Sequence, residues 1–195
     1  IRRSAPSATR GRAESAAELL AHPALELDRA LALSERYRVP LGLAVIGKGF
    51  AVTLVERLAE AELTSVLLHG YRHVNHAPKG ERAAEFGPHR SLGVMAAELV
   101  EAFQGLAPFA RRLPVFVPPW NRYDPAVLTS FAAAGLQGVS AFGPRSRRPG
   151  PANVVEINCH CDIISWRTTR GFRGEERTIG MLVEHLAARR NGTVD

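Results

Sequence analysis

Residues 41–69 read LGLAVIGKGFAVTLVERLAEAELTSVLLH, and this stretch decides the fold class. Leu41 to Ile46 is an unbroken apolar run that stops at Gly47, as expected of a strand covered on both faces; a strand with one wet face would alternate. Over residues 50–63, Leu54, Leu58 and Ala61 recur at three- and four-residue spacing and share one helical face. Thr64 to Leu68 is a second short apolar run, ending at His69. Together the three pieces form a strand–helix–strand unit, whose strands must be parallel.

The same alternation continues on both sides. Upstream the pattern turns helical from Ser15, and Pro23 falls in the first turn of a helix that runs to about Tyr37, where a missing backbone donor costs nothing. Residues 1–13, rich in Arg, Ala and Ser without an apolar period, read as a basic mobile arm. Downstream, residues 70–90 are polar, punctuated by Gly and Pro, and too long for a plain connection, so they are expected to be a functional loop. Ser91 caps a helix whose core stripe is Leu92, Met95, Leu99 and Phe103, and Leu113 to Val117 is a strand closed by Pro118 and Pro119. Asp124 and Pro125 supply the cap and first residue of another helix, which Gly135 ends. Strands follow near Gln137–Phe142 and Asn153–Asn158. A final helix carries Ile179, Leu182, Val183, Leu186 and Ala187 at helical spacing, with Arg189 and Arg190 in its last turn. Repeated strand–helix units predict a parallel sheet, either doubly wound or in a (β/α) barrel. Ile46-Gly47-Lys48-Gly49-Phe50 lacks the third glycine of a dinucleotide loop and any Walker continuation, which disfavours the nucleotide-binding doubly wound fold.

Composition narrows the function classes. The chain has 195 residues, 46% hydrophobic and 23% charged, which suits a packed globular domain and excludes collagen-like, coiled-coil or disordered architecture. Lys and Arg total 25 against 19 Asp and Glu, for a net charge of +6. The basic clusters, Arg2, Arg3, Arg10 and Arg12 and then Arg145, Arg147 and Arg148, sit at a terminus and in a loop without a recognition helix or RNP pattern, so no nucleic-acid partner is expected. No apolar run approaches the roughly 18–20 residues that span a bilayer, so no membrane partner is expected either. Cys159 and Cys161 are too few and too close for a disulfide framework. Because a cleaved leader and a shortened start both fit a chain beginning at Ile1, the compartment stays open.

The unusual polar and aromatic residues all follow predicted strands: His69 and His73 the second, Trp120 and Asn121 the third, His160 and Asp162 the one at 153–158. In a barrel the C-terminal strand ends share one rim, so these residues are expected to converge there. His69 and His73, four apart, would lie on one face of a helical turn, where two imidazoles can share a divalent metal; surface or hydrogen-bonded histidine is the alternative. Trp120 and Trp166 suit either apolar packing or a partly exposed wall for a sugar face. Cys159-His160-Cys161 reads as a metal pair or as buried small residues around a hydrogen-bonded histidine, and Asp162 as a functional acid or as the cap of the following turn.

Three segments carry a resemblance. His69-Gly70-Tyr71-Arg72-His73-Val74-Asn75-His76, then Val117-Pro118-Pro119-Trp120-Asn121-Arg122, then Asn158-Cys159-His160-Cys161-Asp162-Ile163-Ile164-Ser165-Trp166 look like successive motifs of a polysaccharide deacetylase-like family, relatives of chitin and peptidoglycan deacetylases. Order and spacing match from about Pro40 to the end. The resemblance implies a distorted or incomplete (β/α) barrel in a single domain over residues 14–195, lacking elements at both ends. It also implies metal-dependent hydrolysis of acetyl groups on amino sugars or other small acetylated substrates, with zinc or another divalent ion as cofactor. Carried over by motif, His69 and His73 are the metal ligands. Tyr71, Pro119, Trp120, Asn121 and Trp166 line the carbohydrate, and Asp162 and His160 are catalytic.

The chain also departs from the family pattern. No Asp-Asp pair exists to supply the family's base and carboxylate ligand; the nearest candidate is Glu14 in Arg12-Ala13-Glu14-Ser15. Ser165 stands where the family often has an acid, Val117 where many members have Arg, and the closing Leu-x-His motif would fall beyond Asp195. Loss of the base, the carboxylate ligand and the terminal acid implies a feeble hydrolase at most, or a carbohydrate-binding or scaffold domain without turnover. Unpaired parallel strand edges would favour a homodimer.

Overall fold

The structure is a computed structural model that describes residues 23–145, 150–166 and 168–193. The expected arm at 1–13 and Glu14 lie outside the described residues. The elements run α1 (Pro23–Tyr37), β1 (Leu41–Val45), α2 (Val52–Ala59), β2 (Thr64–Leu68), α3 (Leu92–Gly105) and β3 (Arg112–Phe116). Short 3₁₀ turns at Pro119–Asn121 and Pro125–Ser130 follow, then α4 (Phe131–Ala134), β4 (Gly138–Val139), β5 (Val155–Glu156) and α5 (Glu175–Arg190).

All five strands are parallel and lie side by side in chain order, β1-β2-β3-β4-β5. A doubly wound sheet reverses direction at a switch point; this one adds each strand to the same edge, which is how a (β/α) barrel grows. Among the described residues β1 and β5 are the two edges, so the barrel is open between them there. The apolar runs at 41–46 and 64–68 form the two strands expected, in register from Leu41 beside Thr64 to Val45 beside Leu68.

The core forms where α3 and the helical segment after β3 cover the sheet. Met95, Leu99 and Ala102 of α3 are buried against Val66 and Leu68 of β2 and Phe116 of β3. Phe116 is met edge-on by Phe86 at 5.2 Å and by Phe131 at 5.9 Å, the arrangement that aromatic quadrupoles favour. Leu92, expected in the α3 stripe, is 39% exposed, because it opens the helix before the buried face begins. Asp124 caps the 3₁₀ turn as its sequence predicts, its side chain accepting from Ala126 N at 2.9 Å, whereas Ser91 makes no side-chain cap bond.

Two expectations need correction. The strands at 137–142 and 153–158 shrink to Gly138–Val139 and Val155–Glu156. The ladder continues past them through Ile157 N to Val139 O and Cys159 N to Ala141 O. There the Asn158 side chain intrudes, its Oδ1 taking the Ala141 amide at 2.8 Å and breaking the regular pairing. The other correction concerns α5, which forms with the expected apolar stripe, yet none of its residues is buried. Ile179, Leu182, Val183 and Leu186 are all at least 45% exposed. Helical spacing shows which residues share a face but not what covers it.

Candidate functional site

β2 and β3 are neighbours, and the chain leaving each builds one half of a site. Val117 N donates to Leu68 O at 2.7 Å, which places the start of the segment after β3 beside His69. His69 Nδ1 lies 2.9 Å from Val117 O. A carbonyl can only accept, so Nδ1 carries the proton and Nε2 keeps its lone pair, the tautomer a metal-ligating histidine requires. Burial pushes the His69 pKa below its ordinary value and the neighbouring His73 lowers it further, outweighing the opposing pull of the Val117 carbonyl and of Glu85.

The two histidines do not share a helical turn. Gly70 and His73 are both left-handed, at φ 71 and 58, and residues 69–76 form an open loop. Helical bonding is unavailable because the amides of Tyr71, Arg72 and Val74 turn inward to the carboxylate of Glu85. The loop nevertheless achieves what the spacing suggested by another geometry: the imidazoles of His69 and His73 stand 5.0 Å apart, centroid to centroid. On its other side His73 meets the Trp120 ring at 4.3 Å.

Trp120 and Asn121 are also left-handed, at φ 54 and 56. Among the described residues five non-glycine positions have positive φ, and three of them, His73, Trp120 and Asn121, lie in these two segments. Each such position costs about 1–3 kcal/mol, and strain of this kind collects where side chains are held for a purpose. Here it is held by Asn121 N to Pro118 O at 2.9 Å and by the Arg122 guanidinium reaching Ala83 O at 2.9 Å. Pro119 is buried beneath Gly70, where any β-carbon on residue 70 would lie 2.5 Å from its Cγ.

The remaining candidates are placed as follows. Tyr71 turns away from the pair: its hydroxyl donates to Glu101 at 2.7 Å, Glu101 also takes Lys48, and Lys48 and Arg72 lie over its ring. Asp162 caps its turn by accepting from Ile164 N at 2.9 Å, while its other oxygen takes the Trp166 indole N–H at 2.7 Å. Trp166 is 65% exposed, so packing is not its role. His160 stacks on His185 of α5 at 4.1 Å, and its Nε2 is buried without a hydrogen-bond partner, contrary to the hydrogen-bonded histidine expected. Cys159 is exposed and Cys161 half-buried, both free thiols, which overturns the reading as buried small residues. Among the described residues no hydrogen bond or ring contact joins His160 or Asp162 to the His69–His73 pair, and no group of three His, Cys, Asp or Glu gathers as a metal site.

Glu85 is the site residue that the sequence conceals. An acid in the polar loop at 70–90 reads as solvent-facing; the only signal is its apolar setting, Ala83-Ala84-Glu85-Phe86.

The frame around this site is the one found in polysaccharide deacetylases. A protein from Mycobacterium smegmatis described as a polysaccharide deacetylase superposes with a TM-score of 0.63 at 16% identity, over 91% of this chain and 63% of that one. IcaB from Ammonifex degensii gives 0.51 at 17% identity, over 65% and 59% of the two chains. A de-N-acetylase from Aggregatibacter actinomycetemcomitans gives 0.51 at 11%, over 68% and 64%. The chain therefore spans less than two thirds of the length of each. No family profile and no curated protein matches the sequence. The likeness is one of fold: the chain is deacetylase-like in its frame, with the barrel open among the described residues. No described helix is long and apolar enough to cross a membrane.

Proposed function

We propose that this chain is a polysaccharide deacetylase-like protein that holds a divalent metal ion, zinc, between His69 Nε2 and His73, and acts on acetyl groups of amino sugars. The observation that carries this reading is the continuous assembly Val117 O, His69, His73, Trp120, in which one imidazole has its tautomer fixed and the other is held by an aromatic ring. The two imidazoles fit two protein positions of a catalytic zinc site. When bound, such an ion polarises an acyl oxygen and lowers the pKa of its water. The residues of this chain do the rest: His69 and His73 hold the ion, and Trp120, half-buried beside His73, presents a ring against which a sugar face can stack. Asn121, exposed next to it, offers an amide to sugar hydroxyls.

Hydrolysis also needs a carboxylate to take a proton. Asp162 has both oxygens engaged, and Glu14 lies outside the described residues. The absence of a third donor near the pair among the described residues favours a second reading, carbohydrate binding without turnover. Metal content by plasma mass spectrometry, compared between wild type and the His69→Ala, His73→Ala double variant, tests the metal site; equal content in both refutes it. Acetate release from acetylated sugars and acetylated peptides separates the readings. Release from sugars supports hydrolysis, oligosaccharide binding without release supports the second reading, and release from peptides alone overturns the carbohydrate assignment.

A further inference from the structure

Beneath the histidine loop lies a carboxylate that the proposed chemistry does not use. We propose that Glu85 is a positioning residue for the His69–His73 pair, a fixed anion around which the loop is wound so that both imidazoles meet one divalent cation; this rests on the metal-binding reading above.

Glu85 is 1% exposed. Removing a carboxylate from water costs several kcal/mol unless its lone pairs are taken up. They are taken up by the loop itself: Oε2 accepts from Tyr71 N at 3.0 Å, and Oε1 accepts from Arg72 N at 2.7 Å and Val74 N at 3.3 Å. Among the described residues no Lys, Arg or His forms an ion pair with it. The charge is thus balanced by the very peptide groups that carry the histidines.

The other ends of those peptide groups are fixed too. Gly70 O accepts from Gly47 N at 3.1 Å, and Tyr71 O accepts from Lys48 N at 2.9 Å. The Gly70–Tyr71 and Tyr71–Arg72 peptide planes are therefore each pinned at both ends, N–H to Glu85 and C=O to the segment after β1. His73 follows one residue later, in a left-handed conformation that an unsupported histidine seldom adopts. Glu85 is itself fixed from behind, since Arg90 Nη1 holds its carbonyl at 3.1 Å while the same guanidinium grips Glu98. Groups that orient metal ligands without touching the ion typically change metal affinity by about 10–100-fold.

The test compares Co²⁺ affinity and the visible d–d spectrum in wild type, Glu85→Gln and the His69→Ala, His73→Ala double variant. In Glu85→Gln the amide oxygen can still serve Arg72 and Val74, but its NH₂ faces the Tyr71 N–H, donor against donor. The expected result is a folded variant whose affinity falls about 10–100-fold, with an altered cobalt spectrum. Binding equal to wild type in the folded variant overturns the inference and leaves the metal site standing. Binding equal between wild type and the double histidine variant overturns the metal reading, and the inference with it. Should Glu85→Gln fail to fold, wild-type amide hydrogen exchange decides. Positioning is reciprocal, so Zn²⁺ must slow exchange at Tyr71 and Arg72, by about tenfold for a coupling near 1.4 kcal/mol; unchanged exchange in protein that binds Zn²⁺ overturns the proposal.

Discussion

Replacing Gly70 by alanine probes the histidine loop at its tightest point. An alanine at φ 71 incurs the left-handed penalty of about 1–2 kcal/mol. Its β-carbon would stand 2.1 Å from Glu85 Oε2 and 2.5 Å from Pro119 Cγ, distances that real β-carbons essentially never show. Relief comes by moving Pro119, which overpacks the rim at about 1–3 kcal/mol, or by moving the carboxylate. The second route stretches its bond to Tyr71 N, and a hydrogen bond to a charged group contributes about 1.5–3 kcal/mol. These are alternatives rather than additions. A reduced unfolded-chain entropy returns about 0.4–1 kcal/mol, so the net loss is about 1–5 kcal/mol.

Gly80 supplies the control. It too is left-handed, at φ 92, but nothing lies within 4 Å of the β-carbon position. Gly80→Ala therefore isolates the backbone penalty and is expected to cost about 1 kcal/mol. Urea unfolding followed by circular dichroism should give Gly70→Ala the lower midpoint at an unchanged slope, with the two variants separated by about 1–3 kcal/mol. At about 2–4 °C per kcal/mol for a chain of this size, the thermal midpoints should differ by several degrees. Equal midpoints would show that the loop is not wound tightly around Glu85 and would remove the geometric basis of the site.

Further expectations concern the scaffold. Arg90 and Glu98 form a two-pronged pair, both contacts 2.7 Å, with side chains 12% and 18% exposed, so Glu98→Ala strands the guanidinium and should cost about 3 kcal/mol in urea unfolding. Glu35→Ala, which breaks the exposed Arg38–Glu35 pair, should cost less than about 1 kcal/mol in the same assay. Phe116→Ala removes a fully buried ring from the centre of the aromatic cluster and should cost about 3–5 kcal/mol by the same unfolding measurement. Burial, and then the charge of Glu156, raise the Tyr123 pKa above its ordinary 10. The unfolded chain gives up this proton first, so the stability it lends is complete below pH 10 and is lost as pH rises through the folded value. Ultraviolet titration should show a late phenolate step that disappears in Tyr123→Phe.

The first strands were legible because each writes an apolar run with a helix of different period before the next, although Gly42 and Ala44 of β1 and Leu113 of β3 are exposed and only β2 buries its residues or half-buries them throughout. Leu41–Val45 and Thr64–Leu68 are found where that contrast places them. The loop at 70–90 was legible by length alone. Its internal geometry was not: His-x-x-x-His at helical spacing suggested a turn of helix, and the structure reaches the same proximity through two left-handed residues and a buried acid. Amide donors appear in no side-chain pattern, so nothing in the letters of Ala84-Glu85-Phe86 says that three of them are waiting. The same limit applies to α5, whose stripe is plain in the sequence while its exposure depends on what lies beside it.

Strand order also explains which of the rim residues are in direct contact. His69 follows β2 and Trp120 follows β3, adjacent strands about 4.8 Å apart, so their loops touch directly. His160 and Asp162 follow β5, three steps from β2, or about 14 Å along an uncurled sheet, and only barrel curvature can bring them nearer. The two strands that flank β2 are β1 and β3, and the segments leaving them, Ile46-Gly47-Lys48-Gly49 and Val117-Pro118-Pro119-Trp120-Asn121, hold no acid. Neither neighbouring strand end therefore supplies a carboxylate to the His69–His73 pair; the acid held against the loop, Glu85, has its oxygens taken by the amides of Tyr71, Arg72 and Val74. A third ligand or a base at this pair thus has to come from the 70–90 loop itself or from another strand end along the rim, not from those two segments.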